Sequence, residues 1–157
     1  MYHALEPLMG ENAKKLILGT FPSPLSRGKN QYYGNPLNKF WSIIFDLFNE
    51  GSKTADYEIK KRLLFSNGIA LWDTIISCDI EGASDSSIRN PVYNTALPEF
   101  IKSNNIPVVI FNGRNAYEIC RKNIVEIDGI VLPSTSPANA RMSYIQKLDI
   151  WKEALTL

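Results

Sequence analysis

The chain has 157 residues, with 17 basic and 16 acidic side chains, a net charge of +1, 45% hydrophobic residues and 21% charged residues. That is enough for one core-forming unit, and the balance is ordinary for a globular protein. It excludes a strongly basic, histone-like DNA binder and an acidic disordered tail, and no apolar run is long enough to cross a bilayer.

Four short runs rich in Ile, Leu and Val read as strands: residues 15–21, 68–72, 107–111 and 129–132. None alternates cleanly, as expected for a parallel sheet buried on both faces. Between them lie helical patterns. Leu37, Phe40, Trp41, Ile44, Phe45 and Phe48 form a wide apolar stripe at helical spacing. Asn35 and Pro36 suit the N-cap and first turn of a helix over 36–49. Further helices are expected over 55–64, over 113–122 and at the C-terminus, where Tyr144, Leu148, Trp151 and Leu155 share a face. Residues 79–95 read as a long loop. Strand and helix alternate, so the expected class is α/β. The expected architecture is a three-layer α/β/α sandwich in a single domain over 1–157.

The reactive-residue inventory is short. Cys78 and Cys120 stand far apart, which excludes a disulfide framework and four-cysteine metal or iron–sulfur sites. The only histidine, His3, is near a terminus expected to fray. A Ser-His-Asp triad, a Cys-His pair or a His-rich metal site therefore has almost nothing to build with. Carboxylates, amides, hydroxyls and backbone groups remain, and neither metal nor cofactor is expected. Reduced thiols and the absence of a signal-peptide pattern point to the cytoplasm, with no membrane role.

Open α/β sheets place their sites beyond the carboxyl ends of the strands. The four exits carry Gly19, Thr20, Phe21, Pro22 and Ser23; Asp73 and Thr74; Asn112 and Gly113; and Pro133 through Asn139. Four small or polar exits together suggest a shared pocket. Charge is uneven: residues 1–62 carry +3, residues 63–100 carry −4 and residues 101–157 carry +2. Arg27, Lys29 and Lys39 flank Asn30, Gln31, Tyr32 and Tyr33, a mixture that suits a nucleic-acid backbone and an exposed base, or simply a solvated loop.

Three blocks go further. L-I-L-G-T-F-P-S at 16–23, Y-Y-G-N-P-L-N-K-F-W at 32–41 and L-P-S-T-S-P-A-N at 132–139 together resemble the uracil-DNA glycosylase superfamily. The similarity is greatest to its hypoxanthine-DNA (deoxyinosine) glycosylase branch, which is related to the mismatch-specific uracil and thymine glycosylases. The resemblance spans roughly residues 15–151. It implies a central four-stranded parallel sheet and hydrolytic excision of a deaminated base flipped out of a DNA duplex, leaving an abasic site. Such hydrolysis needs a positioned water and electrostatic support for an oxocarbenium-like sugar and the departing base, so neither histidine nor metal is required.

The implied roles fall on particular residues. The position that holds a water-orienting Asn or Asp in relatives is Phe21 here, which cannot polarise water. The branch also lacks that residue and is expected to use Asn38, placed in the first turn of the 36–49 helix. Phe40 matches the aromatic that stacks on the flipped base. Asp73 stands where uracil enzymes read the base with Asn. Gly19, Thr20, Phe21, Pro22 and Asn112 would complete the base pocket. Tyr33, or equally Tyr32, would exclude larger bases. Ser23, Ser134, Thr135, Ser136 and Asn139 would grip phosphates, with Arg27, Lys39 and Arg141 supplying a basic face. The acidic 73–85 stretch, Asp73 apart, should face away from the duplex. The expected partner is a DNA duplex carrying a deaminated or mismatched base, bound by a monomer. The alternatives at this point are a mismatch-type uracil glycosylase, a non-catalytic DNA-damage binding module of the same fold, and a nucleotide-binding protein. The last has no phosphate-loop motif to support it.

Overall fold

The computed structural model describes residues 1–157. In chain order it has β1 (Tyr2–His3), β2 (Lys15–Gly19), α1 (Pro24–Lys29), α2 (Phe40–Phe48), α3 (Tyr57–Ser66), β3 (Ile69–Asp73) and β4 (Ile75–Asp79). A 3-10 turn (Asp85–Ser87), β5 (Arg89–Tyr93), α4 (Leu97–Ser103), β6 (Val108–Asn112), α5 (Arg114–Asn123), β7 (Ile130–Leu132) and α6 (Tyr144–Leu155) follow. No helix is long and apolar enough to cross a membrane.

The main sheet has the order β3-β2-β6-β7, and every pair in it is parallel. Side chains alternate across it, as the pleat requires. Ile17, Leu71 and Ile110 join Phe40, Trp41, Ile44, Leu64 and Trp151 from α2, α3 and α6 on one face. Leu16, Leu18, Val109 and Phe111 join Leu97, Ala116 and Cys120 from α4 and α5 on the other. The result is the expected α/β/α sandwich with a four-stranded parallel sheet.

Four expectations are corrected. The terminus does not fray: β1 pairs antiparallel with β4, which pairs with β5, in a second three-stranded sheet. The expected 79–95 loop therefore contains a strand, and α1 and α4 are helices that the patterning did not reveal. The first strand ends at Gly19 rather than Phe21, because the Gly19 and Thr20 carbonyls turn aside to accept the Thr74 and Ile75 amides, at 2.9 and 3.1 Å. The 36–49 helix begins at Phe40. Asn35 instead closes a separate tight turn, its Oδ1 accepting the Leu37 amide at 3.0 Å and its carbonyl the Asn38 amide at 3.0 Å. The Lys39 amide donates to the Thr135 carbonyl, 3.0 Å away, so a tertiary bond takes the donor that a longer helix would have used.

Candidate active site

The exits of β2, β3, β6 and β7 meet at one end of the sheet, around a cavity of about 700 Å³. Its lining includes Gly19, Thr20, Phe21, Pro22, Ser23, Tyr33, Asn38, Asp73, Asn112, Ser134, Thr135, Ser136 and Asn139. Phe40, Arg27, Lys39 and Arg141 do not line it.

Asp73 forms the floor. It ends β3 with 5% of its surface exposed, and its Oδ2 has no hydrogen-bond partner. Burial, and then the Asp85 carboxylate, push its pKa up to about 7. A carboxyl group that is dry, unpaired and close to another carboxylate disfavours its charged form. Its backbone is fixed by the Asn94 side chain, whose Nδ2 donates to the Asp73 carbonyl at 2.9 Å. Gly19 lies directly against the carboxyl: a Cβ there would stand 2.8 Å from Asp73 Oδ1.

Tyr33 forms the aromatic wall. It has φ 53°, a left-handed conformation that is strained for a bulky residue. Its neighbours hold it there. The Tyr32 amide donates to the Tyr57 hydroxyl (3.0 Å), Trp41 Nε1 to the Tyr32 carbonyl (2.9 Å) and the Gly34 amide to Ser26 Oγ (2.9 Å). The Tyr33 ring stacks on Phe40 with centroids 4.1 Å apart. Phe40 itself is fully buried, so the aromatic surface on the cavity belongs to Tyr33, with Phe40 behind it. Tyr32 also borders the cavity, but its hydroxyl is turned away to donate to the Glu6 carbonyl at 2.7 Å.

Asn38 stands at the mouth. Its Oδ1 accepts the Phe40 amide at 2.9 Å, so it caps α2 from just outside rather than from within the first turn. A donor on that side fixes the orientation of the amide: Oδ1 faces the helix, keeps one lone pair, and leaves Nδ2 without a protein acceptor.

Asn112 joins the two halves of the site. Its Nδ2 donates to the Tyr33 hydroxyl (3.1 Å) and to Thr135 Oγ1 (3.0 Å), while its Oδ1 accepts the Thr135 amide (3.0 Å). With both Nδ2 hydrogens spent and one Oδ1 lone pair left, it is a tie rather than a donor to ligand. Because the Tyr33 hydroxyl accepts from Asn112, its own hydrogen is free for the cavity. Ser23 is largely committed too, its Oγ accepting the Ser26 amide as the N-cap of α1. Arg27 is held beside the site, donating to the Pro22 carbonyl (2.9 Å) with its guanidinium 4.5 Å from the Tyr2 ring centre and 5.6 Å from that of Phe21. Lys39 and Arg141 are exposed and outside the lining.

One wall was missed in the sequence. Ala83, Ser84, Asp85 and Ser86 reach the cavity, so the acidic segment does not face away from it. Asp85 accepts from Asn115 Nδ2 at 3.0 Å; burial pushes its pKa up, and hydrogen bonds from Asn115 and Thr20 pull it back down. Small polar residues in a serine-rich loop carry only turn chemistry, so nothing in the sequence marked them as a wall. No group of three or more His, Cys, Asp or Glu side chains gathers in a way that would hold a metal ion.

No protein-family model matches the chain. A curated protein of Methanosarcina acetivorans named hypoxanthine DNA glycosylase is 38% identical over 140 residues, covering 87% of each chain. One of the same name from Methanosarcina barkeri is 32% identical over 151 residues, 94% of each chain. The solution NMR structure of a Methanosarcina acetivorans protein, provisionally described as a uracil DNA glycosylase, matches with a TM-score of 0.75 at 34% identity, covering 98% of this chain and 95% of that one.

Proposed function

The chain belongs to the hypoxanthine-DNA glycosylase branch of the uracil-DNA glycosylase superfamily, and we propose that this DNA N-glycosylase removes hypoxanthine from DNA through the cavity at the strand exits. The observation that carries the reading is the buried, unpartnered Asp73 carboxyl at the floor of a cavity whose mouth holds Asn38.

A deaminated base presents a carbonyl oxygen beside a ring N–H. A neutral carboxylic acid presents the matching pair, an O–H donor and a carbonyl acceptor. Asp73 in its protonated form donates to the base oxygen, where negative charge grows as the bond to C1′ of the sugar breaks, and accepts the ring N–H. A buried donor aimed at developing charge stabilises the transition state more than the ground state. Tyr33 offers the stacking face and its free hydroxyl hydrogen.

At the mouth, the remaining lone pair of Asn38 Oδ1 accepts one hydrogen of a water, aiming the water oxygen at C1′. The C1′–N bond breaks with its electron pair leaving on the base. The water oxygen then bonds to C1′, and its proton is released as the base is protonated. Base and abasic site are the products. The hydroxyls of Ser134 and Ser136 face the sugar–phosphate backbone.

The finer reading is a single domain over 1–157 that acts as a monomer in the cytoplasm on duplex DNA, with hypoxanthine ahead of uracil. One main sheet whose two faces bury residues from Leu5 to Leu155 supports the first part. The test is cleavage of labelled duplexes carrying one hypoxanthine, uracil or mismatched thymine, with EDTA present and alkali to break abasic sites. Breakage at hypoxanthine is expected. Protein that is folded, binds these duplexes and cleaves none of them overturns the reading.

A further inference from the structure

Beneath the Ser134–Asn139 loop sits a cation that the molecule does not neutralise. Lys147, on α6, is 4% exposed, and its Nζ donates to the Asn139 carbonyl at 2.7 Å. No carboxylate partners it, nor its neighbour Lys39, in any ion pair of the molecule. Burial pushes the Lys147 ammonium below the usual lysine range, and Lys39 pushes it the same way. An ammonium has three donors, and a single neutral carbonyl is poor compensation for taking a charge out of water.

The loop above it has an unusual polarity. The Pro133 carbonyl accepts from Trp151 Nε1 (2.9 Å), that of Ser134 from Asn139 Nδ2 (3.2 Å), and those of Thr135 and Ser136 from the Lys39 and Asn139 amides (both 3.0 Å). With Lys147 on the Asn139 carbonyl, five carbonyls of the loop are occupied, three of them by donors from outside it. Ser134 Oγ accepts the Ser136 amide and Ser136 Oγ the Ala138 amide, which leaves both hydroxyl hydrogens without a protein acceptor. Occupied carbonyls, two hydroxyl hydrogens without an acceptor and two unneutralised cations make a surface that lacks an anion.

We propose that Lys147 is the buried charge of a phosphate clamp, whose missing counter-ion is a DNA backbone phosphate seated on the Ser134–Asn139 loop. The inference rests on the DNA glycosylase reading and adds a positioning residue to it. Lys147 acts from below, through the Asn139 carbonyl it holds and through its field. Lys39 is the second cation, at the rim.

Lys147→Met keeps the long stem and removes the charge. The experiment measures affinity for an undamaged duplex between 50 and 200 mM salt, together with the melting temperature. Relative to wild type, binding should weaken about tenfold, the size of one charge-assisted contact. The log–log salt slope should flatten by about one phosphate contact. The melting temperature should hold or rise, since an uncompensated buried charge has gone. A folded variant with unchanged affinity and slope overturns the clamp, and so does a lowered melting temperature with an unchanged slope. If the variant does not fold, NMR titration of the lysine Nζ groups in the wild-type protein decides. The Lys147 midpoint should rise when the duplex is added, and no rise overturns the clamp. A wild-type protein that fails to bind duplex at any salt overturns the glycosylase reading with it, whereas binding that ignores Lys147 overturns the clamp alone.

Discussion

The backbone of Gly19 presses on the Asp73 carboxyl so closely that a methyl group there would lie 2.8 Å from Oδ1 and 3.7 Å from the Tyr33 hydroxyl. The first of these separations is shorter than real Cβ contacts allow. Gly19 is therefore what lets the end of β2 serve as the floor on which the carboxyl rests. Gly19→Ala keeps an allowed backbone but must displace Asp73, at an overpacking cost of about 1–3 kcal/mol. If the proposed base contact depends on that carboxyl, single-turnover cleavage of hypoxanthine should fall at least about tenfold, which corresponds to about 1.4 kcal/mol of lost transition-state binding. A variant that melts near wild type yet cleaves at the wild-type rate would remove Asp73 from the chemistry.

The state of Asp73 has its own signature in stability. Its folded pKa is about 7, whereas an unfolded aspartate sits near 3.9. Between about pH 4 and pH 7 the folded protein holds a proton that the unfolded chain has released. Stability therefore falls as pH rises through that window and is level above it. The effect is capped at about 4 kcal/mol, at 1.36 kcal/mol per pH unit across the window. Asp73→Asn should match wild type near pH 4 and exceed it at pH 8, as urea midpoints at the two values will show. Asparagine carries the same donor–acceptor pair as the neutral acid, so the variant should still cleave at hypoxanthine, without the loss of rate that ionisation imposes on wild type above pH 7. Loss of cleavage at every pH would mean that the ionised form does the reading.

The main sheet was legible because strands buried on both faces read as unbroken apolar runs. The second sheet was not. β5 holds Arg89, Asn90 and Pro91, is half exposed and pairs with shifts of register, so it shows no period of two. β4 is separated from β3 by Thr74 alone, and one apolar stretch serves two sheets. In the site, Asn35 and Asn38 are both plausible caps for the following helix, and only the bond from the Lys39 amide to Thr135 selects the later start. Helical spacing puts Phe40 on a stripe but does not say whether the stripe ends in the core or in the cavity. The answer came from Tyr33, whose φ of 53° carries its ring in front of Phe40. Lys147 falls on an ordinary helix turn, and its missing counter-charge exists only in three dimensions.

Asn38 has two separable duties, and two substitutions divide them. Asn38→Ala removes both the cap on the Phe40 amide and the proposed water-orienting oxygen. It should cost about 1 kcal/mol of stability and cut cleavage by about 100-fold or more, while affinity for the duplex is largely kept. Asn38→Asp retains an oxygen for the cap, next to a helix N-terminus that favours negative charge, so its melting temperature should return to the wild-type value. Cleavage by Asn38→Asp should recover part of the loss, since a carboxylate also accepts from water. Cleavage that persists undiminished in Asn38→Ala would move water positioning to another residue.

Asn112 couples the base wall to the backbone loop, so its removal should be felt on both sides. Asn112→Ala strands the Thr135 amide and loosens the Tyr33 hydroxyl, three bonds in all. Leaving buried polar groups unpaired costs about 1–3 kcal/mol each where water cannot replace the partner. The cavity is open to solvent on one side, so a total near the lower end is expected. Duplex affinity should weaken because Thr135 and its loop lose their anchor, and the cleavage rate of bound duplex should fall because Tyr33 loses its fix. Tyr33→Phe provides the contrast. It keeps the ring on Phe40 and the loop bonds of Asn112, so it should leave affinity for undamaged duplex unchanged and lower only the rate of bound hypoxanthine cleavage. Duplex titrations paired with single-turnover rates separate the two variants, and an Asn112→Ala protein that loses cleavage rate but no duplex affinity would show that the tie through Asn112 does not join the two halves of the site.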